Sequence, residues 1–333
     1  FKERIDAMPA TVTHAYFIMD VYDELPIGLK KLLMDHKGKL RMFAQSLDPF
    51  YFYNVTSFKS SKKAQSFALY FHQHKSQEFF INLVNYIKYN HYYQNAEAMA
   101  FLYGFISHYV LDATIHPYIY YKTGKYQKGK KETIKYRNQH DYMETFLDNY
   151  LIKQKENIKP YAFKFYQYCF DLEPFQPEVK EIIDYAFQET FQIKHMSKFY
   201  YQALRQMQFC LKHFRYDKTG IKMKCYQALD LLKPKDTFQL KAISYHTTLT
   251  DTKNYLNADH QKWHHPCLKK ETQNESFLEL YRIALNRTNA IIKEVNAYLK
   301  GKKEVDLTKV FANLSYLTGK DCEGKYELKY FEW

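Results

Sequence analysis

The chain reads as an all-α protein, a multi-helix bundle. Three observations predict this. Apolar residues recur at helical spacing along most of the sequence. Glycine and proline number only 9 each among 333 residues, too few for a turn-rich β architecture or for long flexible linkers. No set of alternating segments reads as a sheet.

The elements follow in order. Phe17, Ile18, Val21 and Leu25, after Thr13, predict a first helix that Pro26 stops. A second covers about residues 28–43. Ser46-Leu47-Asp48-Pro49 breaks the pattern, because a residue before proline avoids the helical region. Residues 61–90 read as helical again. The strongest pattern runs from about Asn95 to His116. Pro117 is expected to end or bend it, since proline lacks the N–H and clashes with the preceding turn. A polar loop over 122–137 sets Lys122, Lys125, Lys128, Lys130, Lys131, Lys135 and Arg137 against one acid, Glu132. Further helices are predicted over about 138–154, 178–192, 197–214 and 276–299. Ser276 with Glu279 makes a capping box for the last of these, and Gly301 fits its end. A final helix is predicted over about 306–317, stopped by Gly319.

Charge and cysteine usage bound the function. The formal net charge of +13 favours anionic partners: a phosphorylated substrate, an acidic membrane surface, or, as second choice, nucleic acid. A lysine-rich solvated surface is the plainer reading of the same number. No obligate protein partner is evident. The five cysteines, Cys169, Cys210, Cys225, Cys267 and Cys322, are odd in number, widely spaced and lack a CxxC. That excludes a disulfide framework and a cysteine zinc site. No apolar run reaches the ~18–20 residues that span a bilayer, and the first residues show no apolar signal core, so a cytoplasmic location is expected. Met8 is a plausible start.

The chemistry lies in the histidines and carboxylates. His108, Asp112 and His116 fall at i, i+4 and i+8. At ~100° per residue they drift only about 80° around a helix and share one side. His140 and Glu144 repeat the i, i+4 spacing on the next helix. Helical bundles build metal sites from such inward-facing pairs. Imidazole and carboxylate are what zinc accepts when cysteine is absent. A hydrogen-bonded, partly buried histidine is the bland alternative for any one pair. As a set, these groups interrupt the apolar run Ala100-Phe101-Leu102-Tyr103-Gly104-Phe105-Ile106. Burying them there costs several kcal/mol unless they pair or bind metal.

At these residues the chain resembles the zinc-dependent phospholipase C family, which shares its helical zinc scaffold with the S1/P1-type nucleases. Residues 101–112, with His108-Tyr109 and Asp112 four residues after the histidine, resemble that family's core helix. His140-Asp141-Tyr142-Met143-Glu144 resembles its His-x-x-x-Glu element. Thr13-His14 matches an early ligand histidine. Ser46-Leu47-Asp48-Pro49-Phe50 resembles the turn that carries the family's acid. His72 matches the remaining histidine, with His74 as its rival. The resemblance covers Thr11 to about Tyr150, and the later segments resemble a compact form without the toxins' C-terminal β domain.

Residue by residue, the resemblance implies two to three zinc ions. His72, His108 and Asp112 would hold one, and His116, His140 and Glu144 a second. His14 and a bridging Asp112 would share a third. Asp48 would orient or deprotonate the attacking water in phosphodiester P–O cleavage. The implied activity is a phospholipase C-like hydrolase; the alternatives are a single-strand nuclease on the same scaffold or a non-catalytic, zinc-stabilised binding protein. Residues 1–158 would form the metal-binding catalytic region, with 159–333 a helical region packed on it in the same domain. Two departures stand out. The toxins carry the counterpart of His116 two residues further on. They also complete the third zinc with an N-terminal tryptophan that this chain lacks.

Other features have two readings. Residues 122–137 would line the site mouth or be a solvated loop. Phe50-Tyr51-Phe52-Tyr53 reads as core or as a stacking wall. His264-His265 reads as a solvent-facing pair rather than a metal site. His140-Asp141 mimics the dipeptide of HD-type phosphohydrolases, a reading that leaves Glu144 and Asp48 without a role.

Overall fold

The computed structural model describes residues 10–127, 129–232, 239–245, 251, 253–301 and 304–332. The Met8 start and Lys128 lie outside them. The protein is all-α, and the one sheet among the described residues has two short strands.

Helix α1 (Thr11–Glu24) has no capping side chain of its own. The buried Asp148 carboxylate takes its free N–H groups instead, from Val12 at 3.2 Å and Thr13 at 2.8 Å, and also accepts the Thr13 hydroxyl. A carboxylate at a helix N-terminus satisfies orphan donors and suits the dipole. This contact fixes the start of α1 and sets the place of His14 one residue on.

The segment read as one helix over 28–43 is two, α2 (Ile27–Leu33) and α3 (Lys37–Phe43), joined by the tight turn Met34–His36. The segment over 61–90 is also two, α4 (Phe58–Phe71) and α5 (Ser76–Tyr89). Left-handed backbone at Lys75, φ 59°, separates them, and His72 closes the C-terminal end of α4, its N–H still bonded to Ala68 O at 3.1 Å.

Helix α6 (Ala96–Thr123) is the axis of the molecule. Asn95 caps it, its side chain accepting from Ala98 N at 2.9 Å. Helices α1 and α3 pack on it, as do two later ones, α7 (Gln139–Glu156) and α12 (Phe277–Leu299). That explains why it is apolar nearly all round. The reading that no apolar run is long enough to span a bilayer is corrected here: α6, alone among the described residues, is long and apolar enough to cross a membrane, and it is 94% buried over that window because it is the core helix. Pro117 does not end the helix, which runs through it to Thr123. Proline removes one intrahelical bond, a cost of about 3 kcal/mol that packing on this scale outweighs.

Gly104 lets α6 approach the end of α3. A Cβ there would lie 2.6 Å from Phe43 Cβ and 2.7 Å from the Phe43 carbonyl carbon. Gly104→Ala is therefore expected to destabilise the protein by about 1–3 kcal/mol, the range for overpacking. Thermal unfolding checks this; an unchanged midpoint would show that α3 yields freely.

The later helices are α8 (Phe165–Tyr168), α9 (Pro177–Phe191), α10 (Met196–Cys210) and α11 (Ile221–Leu231). An antiparallel pair, β1 (Trp263–His265) and β2 (Leu268–Gln273), precedes α12. Ser276 and Glu279 form the predicted capping box on α12. The helix expected over 306–317 is only α13 (Leu307–Val310). Beyond it the chain leaves helical geometry and folds as a tight turn against α6. Cys322 N–H reaches Asn313 O at 2.7 Å, and Ser315 N–H reaches Lys320 O at 2.8 Å.

Candidate metal centre

Five elements bring the candidate residues to one place. Helix α1 carries His14. Asp48 opens a tight turn, Asp48–Phe52, beyond α3, with Pro49 as its second residue. His72 follows the end of α4, and α6 supplies His108, Asp112 and His116 one turn apart. Helix α7 supplies His140 and Glu144. All are buried except His116, which is 13% exposed at its side chain.

Two three-residue groups have ligand atoms within 4.8 Å of one another: His72, His108 and Asp112, and His116, His140 and Glu144. A third, His14, Asp48 and His108, meets the same limit. His108 Nε2 lies 3.0 Å from Asp112 Oδ2, and His140 Nε2 lies 3.0 Å from Glu144 Oε1. His116 Nε2 stands 3.7 Å from the same Glu144 oxygen. His14 Nε2 lies 3.3 Å from Asp112 Oδ1, and its ring stacks on His108 with centroids 4.1 Å apart. Asp112 thus faces His14 from α1 and His108 and His116 from the neighbouring turns of α6. Asp48 lies 3.6 Å from His72 Nε2 and 3.9 Å from His108 Nε2, one oxygen towards each.

Backbone and hydroxyl groups orient the rings. His108 Nδ1 faces Ala44 O at 2.9 Å, leaving Nε2 to the site. Tyr51 Oη lies 3.4 Å from His72 Nδ1, and Tyr316 O lies 3.0 Å from His116 Nδ1. Fixing one ring nitrogen in this way presents the other as a ligand. Sequence reasoning missed all three partners. Ala44 and Tyr316 act through backbone atoms, and Tyr316 is 200 residues from His116, so no local spacing could signal them.

The electrostatics divide the carboxylates. Burial pushes Asp48 up to about 7, helped by Asp112 and Glu144 and opposed by His108. Burial would raise Asp112 too, but His108, His116 and His14 hold it well below the usual carboxylate range. His140 and His116 likewise overcome burial at Glu144 and lower it. Burial and then His108 hold His72 down to about 3. At His116 burial is outweighed by Asp112 and Glu144, which raise it to about 9.

The donor set fits a metal. Buried His14 Nδ1, His72 Nε2, His140 Nδ1 and Glu144 Oε2 make no hydrogen bond, and His108 Nε2 meets only the carboxylates of the site. Leaving so many polar atoms unpaired costs ~1–3 kcal/mol each, and several of them face one another across the site. Nitrogen and carboxylate oxygen without cysteine match zinc's ligand chemistry.

The remaining readings sort as follows. His74 is half-buried, with Nδ1 2.9 Å from Tyr70 O, and stands in none of the three metal-ligand groups among the described residues. Phe50, Tyr51 and Phe52 are buried core. The reading of His264-His265 as solvent-facing is corrected. His265 is buried, with Nε2 2.9 Å from Thr318 O, because it lies on the inward side of β1. The loop over 122–137 is more structural than either expectation: Lys122 is buried and pairs with Glu332 at 2.6 Å. Lys125 and Lys130 line a polar cleft of about 440 Å³ with Gln73, His74 and Lys329.

Comparison with known proteins agrees with this geometry. The family model described as zinc dependent phospholipase C matches residues 13–192, more than half of the chain, from α1 through α9. No curated protein and no solved structure matches. The matched stretch contains all eight candidate residues, and the chain belongs to the zinc-dependent phospholipase C family.

Proposed function

We propose that this protein hydrolyses the phosphodiester of a phospholipid, releasing a phosphorylated headgroup and a diacylglycerol. The observation that carries the reading is the convergence of two His–carboxylate sets and Asp48, all within the family-matched stretch. His72, His108 and Asp112 would hold one zinc; His116, His140 and Glu144 would hold a second. His14 would contribute to a third with Asp112, and Asp48 stands within reach of the same position. Bound there, zinc supplies positive charge against the phosphate oxygens and makes water more acidic.

The chain's own residues do the rest. Asp48 accepts a proton from the attacking water on a carboxylate oxygen and holds that water in line with phosphorus. As water oxygen bonds to phosphorus, the P–O bond to the glycerol oxygen breaks; that oxygen takes a proton from solvent and leaves as the alcohol, and Asp48 returns its proton to solvent. Burial of Asp48 suits a proton acceptor that works near neutrality. The +13 charge draws the protein towards anionic surfaces.

The test is hydrolysis of a chromogenic phosphocholine diester and of single-stranded DNA, each with and without chelator. Chelator-sensitive cleavage of the phosphocholine diester is expected. Cleavage of DNA alone would support the nuclease reading, and zinc binding without turnover on either substrate would support a binding role.

A further inference from the structure

Tyr316 lies far outside the family-matched stretch, yet it touches both metal sets through its backbone. Its N–H donates to the carbonyl of His72 at 2.8 Å, and its own carbonyl lies 3.0 Å from His116 Nδ1. Its buried ring packs on His72 and His108, with centroids 5.0 and 5.9 Å away. Ser315 Oγ adds a longer contact to the His72 carbonyl at 3.4 Å.

Three features hold this segment in place. Tyr109, one residue after His108, donates its hydroxyl to Ala312 O at 2.5 Å. On the outer side His265 Nε2 meets Thr318 O at 2.9 Å. At the tip of the turn, Gly319 adopts φ +61°, and a Cβ there would lie 2.2 Å from Ala113 O. That carbonyl is the one Pro117 deprives of its helical donor. The turn therefore seats against α6 midway between Asp112 and His116, at a point only glycine can occupy.

We propose that the segment Asn313–Cys322 is a positioning strap for the metal centre, with Tyr316 setting the His116 ring through its carbonyl. This rests on the zinc reading of the site. Groups that orient ligand histidines typically change metal affinity about 10–100-fold when lost. The carbonyl contact is made to His116, so the His116–His140–Glu144 set is the one that weakens.

Gly319→Ala lifts the turn without altering a ligand. His265→Ala removes the outer anchor without adding atoms against α6, and keeps the test open if Gly319→Ala does not fold. Zinc affinity is measured by chelator competition, and cobalt(II) spectra identify the set by comparison with His140→Ala and His72→Ala. The expected result is a loss of about tenfold or more in one equivalent, with the spectral change of His140→Ala. Unchanged affinity in a folded variant would overturn the strap, and so would equal weakening of both sets, which marks general loosening. A wild-type protein that takes up less than one zinc overturns the zinc reading and the strap with it.

Discussion

Asp48→Asn is expected to lower kcat on a phosphodiester substrate by roughly 10²–10⁴-fold, the range a positioned general base supplies, while the zinc content stays at the wild-type level. The amide keeps the shape of the side chain and its place on the Asp48–Phe52 turn. It cannot accept a proton from water. The neighbouring His72 and His108 nitrogens, 3.6 and 3.9 Å away, are far enough to leave the carboxylate to a water molecule. The same carboxylate lies within ligand reach of His14 and His108. Parallel assays of turnover and metal content therefore separate its two roles. Loss of one zinc in step with activity would make Asp48 a ligand, and unchanged turnover would remove it from the chemistry.

Glu144→Ala and His108→Ala are expected to lose zinc and to destabilise the fold by about 3–5 kcal/mol, the usual result of removing one partner from a buried charged set. Glu144 serves both His140 and His116, and His108 is fully buried between Asp112 and the Ala44 carbonyl. Because the sets join α6 to α7 and to the turn after α4, metal binding is linked to folding. Chelator should thus lower the denaturation midpoint of the wild type and change the mutants much less. Equal midpoints with and without chelator, in wild type and mutants alike, would show that these groups are satisfied without metal.

Much of this was legible in the sequence for identifiable reasons. The i, i+4, i+8 run His108–Asp112–His116 sits on a helix with a strong apolar pattern. The His140–Glu144 pair sits on the next long helix, and the family resemblance added His14, Asp48 and His72, which no spacing links to them. The misreadings share a cause: tertiary contacts overrode local signals. Packing on every side carried α6 through Pro117. A left-handed residue at Lys75 split the segment over 61–90. Residues 311–317, apolar at nearly helical spacing, gave up helix to meet α6 and His72. His265, read as solvent-facing, is buried by that same segment through Thr318. The second layer around the metal candidates is mostly backbone carbonyls, and these carry no residue signature.

The zinc content of wild-type protein purified without chelator and without added metal tests the central claim most directly. Two complete three-residue sets stand on α6, α7 and the turn that holds His72. The proposed assignment of these sets predicts at least two zinc ions per chain, measured by elemental analysis against protein concentration. Less than one zinc per chain would contradict it.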